Sequence, residues 1–177
     1  MAEETPFLWA GKVYADPEAD ISDHIRRQFG DVPFQYPDVA SCLDDPSAPD
    51  NLMQADLKWD ELPDFAALNV CFFRLFSALG SLERSSVWLS RQGWTVDPAR
   101  EEPHLAHLYA VPRSGFRSCT ARWSVRGDGA PYGPSTQREW LARAVAQITL
   151  ISSWSASKGL VAVVVQESPG GWVQWEA

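Results

Sequence analysis

Residues 65–82 are apolar apart from Asn69 and one narrow polar stripe. Arg74, Ser77, Ser81 and Arg84 step by three and four, while Phe65, Leu68, Phe72, Leu75, Leu79 and Leu82 form the opposite face. This spacing predicts a largely buried helix over 65–82, capped by Asp64 and packed against a sheet. Gly80 falls inside it, at a cost of about 1 kcal/mol relative to Ala unless it permits close packing. A shorter helical run, 85–92, ends at Gly93. Thr136 and Glu139 make a capping box. Behind them Leu141, Val145, Ile148, Ile151 and Ser152 recur at helical spacing, which predicts a second long helix over 136–154.

Elsewhere the period shortens to two. Residues 7–14 read as a first strand, and a short helix over 21–29 ends at Gly30. Residues 105–111 and 117–125 read as a hairpin turning through Pro112-Arg113-Ser114-Gly115. In 117–125, Arg117, Cys119, Ala121 and Trp123 face one way and Ser118, Thr120, Arg122 and Ser124 the other, as in a sheet with one wet face. The continuous run 160–165, Leu-Val-Ala-Val-Val-Val, predicts a strand buried on both faces, followed by a terminal hairpin to 172–175. The fold class is therefore α+β. A mainly antiparallel sheet of about four to six strands packs against two long helices, about 65–82 and 136–154, in a single domain over 1–177.

Between these elements lies 31–63, an irregular, acidic segment with prolines at 33, 37, 46, 49 and 63. Proline and Pro-Asp pairs deny regular backbone pairing, and a loop of this length is often functional or mobile. Its acidity belongs to a larger asymmetry. Residues 1–64 hold fifteen acids and four bases, 4 − 15 = −11, and residues 65–177 hold eleven bases and eight acids, +3, which sum to the net −8. So lopsided a segment projects a field that a basic partner senses over about a Debye length, roughly 8–10 Å in physiological salt. The same acidity disfavours direct nucleic-acid binding, which needs a basic stripe. Arg113, Arg117, Arg122 and Arg126 do cluster, and the simplest reading pairs them with the acids of the first half.

No catalytic or metal signature rises above background. His104 and His107 fall on opposite sides of a strand, and neither Cys nor a further His nearby completes a ligand set, so no metal is expected. Gly-x-Ser-x-Gly is absent. Cys119 beside His107 on a neighbouring strand would be one pairing among many that a hairpin creates. Gly127-Asp128-Gly129 lacks the Gly-Lys-Ser/Thr ending of a phosphate loop. The carboxylates of 44–64 have no calcium register, and no cofactor is expected. Trp59, Trp88, Trp94 and Trp123 suit core-edge packing better than a ligand pocket.

Three cysteines, an odd number without short spacing, argue against a disulfide framework. Cys71, among Val70, Phe72 and Phe73, reads as a buried, inert thiol. Residues 1–6 lack the basic and apolar regions of a signal peptide, and 65–82 is too interrupted for a membrane span, so the expected home is the cytoplasm. These features point to an acidic protein-binding protein: an inhibitor or immunity-type neutraliser of a basic partner enzyme such as a bacterial toxin. Asp44, Asp45, Asp50, Asp56, Asp60 and Glu61 would form the contact surface, with Trp59 as an apolar anchor. The alternative is a small-molecule-binding or enzymatic domain with an aromatic pocket between the 65–82 helix and the sheet.

Overall fold

Asp64 starts the central helix: its carboxylate accepts from Ala67 N–H at 2.9 Å, as the sequence predicts. In the computed structural model, which describes residues 7–9, 12–14, 32–47, 51–102, 115–124 and 147–168, a four-residue helix α1 (Val32–Gln35) precedes this one, α2 (Phe65–Leu79), and α3 (Leu82–Arg91) follows it. Gly80 does not sit within a helix. It ends α2 in the left-handed region at φ 77°, and Ser81 then caps α3 by accepting from Arg84 N–H at 3.2 Å. A glycine that lacks a Cβ penalty in this conformation is a stop, and a serine after it is a start. Gly93, at φ 80°, lies just beyond α3, as expected.

Among the described residues seven strands form one antiparallel sheet: β1 (Phe7–Trp9), β2 (Lys12–Tyr14), β3 (Thr95–Val96), β4 (Arg100–Glu101), β5 (Phe116–Ser124), β6 (Gln147–Ser155) and β7 (Gly159–Ser168). Five have three or more residues, and the order is β1-β2-β7-β6-β5-β3, with β4 also on β5. The fold is thus mixed α+β, an antiparallel sheet packed with helices, as the sequence indicates. α2 packs mainly on β7 and β2, and α3 on β3 and β5. Residues 7–14 form two strands rather than one, paired Phe7 to Tyr14 and Trp9 to Lys12. The predicted helix 21–29, strand 105–111 and strand 172–175 lie outside the described residues.

One element is a correction. Residues 147–155 are a strand, not the end of a helix over 136–154, whose first part lies outside the described residues. Ile148, Ile151 and Ser152 satisfy helical spacing, but Ile148, Thr149 and Ile151 are β-branched, and β5 and β7 pair along the whole of β6. Backbone pairing on two sides overrides a local pattern that fits either period. The second long helix is therefore α3.

The core lies between α2, α3 and the sheet. Phe72 of α2 is fully buried and meets Trp59, Trp88 and Trp94 edge-on, with ring centroids 6.0, 6.1 and 5.6 Å away. Such pairs add about 0.5–1.5 kcal/mol each beyond the area they bury. Arg74, a member of the narrow polar stripe, is only 1 % exposed; its Nε donates to Tyr36 O at 3.1 Å and so ties the segment after α1 to α2.

Cys71 is not a free thiol. It is bonded to Cys42, which ends a 3-10 turn (Ala40–Cys42), with a Cα separation of 5.3 Å. Both residues have no exposed surface. An odd cysteine count hides a single bridge, because two cysteines 29 residues apart follow no motif and only the tertiary fold brings them together. Closing a chain loop of that length stabilises by about 3–4 kcal/mol on the chain-entropy account. Cys119 remains a free, buried thiol.

Candidate functional site

The acidic segment expected to be irregular is held by short, specific pieces. Asp38 Oδ1 accepts from Ser41 N–H at 2.8 Å, and Ser41 Oγ donates back to Asp38 O at 2.6 Å, which fixes the entry to the 3-10 turn. Residues 42–44 then run antiparallel to 56–58. Lys58 N–H donates to Cys42 O and Asp44 N–H to Asp56 O, both at 3.0 Å, around a Leu43–Leu57 bridge. Leu43 and Leu57 are buried at 1 % exposure. Alternation along an extended chain then sends their neighbours Asp44 and Asp56 outward, and both are exposed.

The far bank is hung from α3. Trp88 Nε1 donates to Ala55 O at 3.0 Å, Arg91 to Met53 O at 3.3 Å, and Gln92 Nε2 to Asp56 Oδ1 at 2.7 Å. Between the banks lies an open hollow of about 300 Å³, lined by Asp44, Asp45, Asn51, Gln54, Ala55 and Asp56. Asp45 Oδ1 accepts from both Ser47 Oγ (2.6 Å) and Ser47 N–H (2.9 Å), and these two bonds hold its carboxyl below the usual carboxylate range.

Charge is distributed in a telling way. Among the described residues Asp44, Asp45 and Asp56 take part in no ion pair. Two of the clustered arginines find acids in their own half: Arg117 pairs with Glu83 at 2.8 Å, and Arg122 grips Asp97 with two bonds of 2.7 and 3.0 Å. The sequence reading that gave these two arginines to the first-half acids is thereby corrected, because the acids nearest them across the fold are on α3 and just after β3. Arg113 and Arg126 lie outside the described residues. Arg91 donates to Met53 O, one residue before the lining residue Gln54.

Of the residues singled out in the sequence, Asp44, Asp45 and Asp56 come together here. Asp60 and Glu61 lie on a separate 3-10 turn (Trp59–Glu61), where Glu61 pairs with Lys58 at 3.3 Å. Asp50 lies outside the described residues. Trp59 is buried, 7 % exposed, against Phe72, so it serves the core and is not a surface anchor. Trp88 and Trp94 share that packing against Phe72; Trp123's side chain is outside the description. Asn51 and Gln54 were not singled out; an Asn-x-x-Gln turn inside a polar stretch carries no signal of its own, although Gln54 N–H donates to Asn51 O at 2.9 Å.

Chemically the hollow offers carboxylates and amide oxygens to a cation. Among the described residues no group of three or more His, Cys, Asp or Glu is placed to hold a metal ion. Cys119 sits away from this site on β5, 3.5 Å from Ser86 Oγ, and burial pushes its thiol up. His104, His107, Gly127 and Gly129 lie outside the described residues. No protein-family model, no curated protein and no solved structure matches this chain.

Proposed function

We propose that this chain is an acidic protein-binding protein, an inhibitor or immunity-type neutraliser, which receives a cationic side chain of a basic partner enzyme in the hollow ringed by Asp44, Asp45 and Asp56. One observation carries the reading: these carboxylates are exposed and stand outside every ion pair among the described residues, while Arg117 and Arg122 are satisfied elsewhere. Unneutralised rim charge speeds encounter with a basic surface, and a concave site gives a guanidinium or ammonium several oxygens at once. Among the described residues no helix is long and apolar enough to cross a membrane. The proposed compartment is the cytoplasm, where the disulfides that do form are mostly transient, catalytic or redox-sensing.

The test is binding of the full chain to an arginine-rich probe peptide across a salt series. Affinity falls steeply as salt rises, and a triple change, Asp44→Asn, Asp45→Asn and Asp56→Asn, weakens low-salt binding about tenfold or more. Asn retains an acceptor oxygen for Ser47 and Gln92, so the fold is kept. Binding that ignores both salt and the triple change rejects the proposal.

A further inference from the structure

We propose that the Cys42–Cys71 bond is a redox-controlled fastener of the acidic rim, an inference whose functional half rests on the reading just given. The two banks of the hollow hang from different helices. Residues 53–56 are held by Trp88, Arg91 and Gln92 of α3 and its C-terminal cap. Residues 36–44 are held to α2 by the Arg74–Tyr36 hydrogen bond and, one turn away along the same helix, by the disulfide. Asp44 follows Cys42 by two residues, and Cys42 O is itself the acceptor for Lys58 N–H in the pairing that also joins Asp44 to Asp56. The covalent tie and the rim are thus parts of one short ladder.

Reduction breaks the Sγ–Sγ bond. Because neither residue has exposed surface, a dithiol reaches the sulfurs when the partly buried turn at Ala40–Cys42 opens; it then supplies two electrons and two protons and closes to its own disulfide, leaving Cys42 and Cys71 as thiols. Two thiols must stand at van der Waals separation where a bond stood, in a site with no exposed area at either residue. A packed interior yields such room only by moving its least-anchored side. α2 is buried along eleven of its fifteen residues, so the side that moves is the three-residue turn bearing Cys42. Asp44 and Asp45 then separate from Asp56, and the hollow comes apart. The oxidised protein presents the rim; the reduced protein does not.

The experiment compares the full chain before and after excess dithiothreitol at neutral pH. Thiols are counted by alkylation after unfolding, and amide hydrogen exchange is followed residue by residue. Reduction should raise the thiol count from one to three. The amides of Asp44 and Lys58 should exchange about tenfold faster or more, while those of β6 and β7 keep their rates. A Cys42→Ser, Cys71→Ser variant should show the fast exchange without reductant and no response to it; should it not fold, the wild-type comparison decides alone. The proposal is overturned if the bond survives dithiothreitol in the native protein. It is equally overturned if Asp44 and Lys58 keep their protection after reduction, or if β6 and β7 lose theirs at the same time. The arginine-rich probe separates the two proposals: exchange that responds to reduction in a protein that never binds the probe leaves the fastener standing and removes the acidic-rim function.

Discussion

Asn69 and Val165 exchange two hydrogen bonds. Val165 N–H donates to Asn69 Oδ1 at 2.7 Å, and the Asn69 amide donates to Val165 O at 3.2 Å. β2 pairs with β7 at Val163 and Ala162. The helix side chain thus pairs the backbone of Val165 two residues beyond Val163, and its amide donates as well to Phe65 O at 2.8 Å. Asn69 has no exposed surface. A buried amide with its oxygen and both protons engaged locks α2 to β7 in one position.

Asn69→Leu keeps the volume and loses all three bonds, stranding the N–H and C=O of Val165 in the core. Stability should fall by about 2–4 kcal/mol, read as a lower urea midpoint with an unchanged slope. Loss of less than about 0.5 kcal/mol would show that water or another group takes over.

Gly115 and Ala156 make a second pair. Gly115 has φ 74°, and a Cβ built there lies 2.7 Å from Ala156 Cβ. Gly115→Ala should cost both the clash and the left-handed backbone, about 2–4 kcal/mol together. Adding Ala156→Gly removes the clash alone and should recover part of the loss. Gly80→Ala is the control: φ is 77° but nothing lies within 4 Å, so about 1–2 kcal/mol is expected.

Glu83 carries the pH dependence that is worth measuring. The backbone N–H at the start of α3 and the guanidinium of Arg117 hold its carboxyl below the usual glutamate range. A carboxyl lowered on folding contributes stability above its unfolded value, and that contribution disappears as pH falls through the lower, folded value. Glu83→Gln should therefore be less stable than the parent at pH 7, with the gap closing in acid. The gap is small because Glu83 is 65 % exposed. Urea melts of both proteins at pH 7 and in acid check it; a gap that widens in acid would refute it.

Local signals were legible where one residue decides. Asp64 as a cap, Gly93 beyond a helix end, and the strand expected at 117–125 and found at Phe116–Ser124 all follow from nearest neighbours, although the expected wet face of β5 fails at Ser118, which is buried. The run at 160–165 is buried on both faces apart from a half-buried Val164. What escaped the sequence depends on distant partners. β6 is a strand because β5 and β7 flank it, Arg74 is buried because Tyr36 O lies over it, and Cys42 meets Cys71 because a turn crosses α2. Of the candidate site, the acidity of the segment was readable. The convergence of Asp44, Asp45 and Asp56 was not, since it follows from a two-residue bridge at Leu43 and Leu57 whose pairing is non-local.

The placement of β7 has a further consequence, for how this chain behaves in bulk. Its Leu-Val-Ala-Val-Val-Val run has the make-up of segments that stack into fibrils once their edges are bare. Among the described residues one edge is sealed along its length by β6, and the other is met by two residues of β2 and by the Asn69 side chain. Loosening of the 12–14 strand from Val163 and Ala162 would bare that stretch of edge as a template for self-assembly.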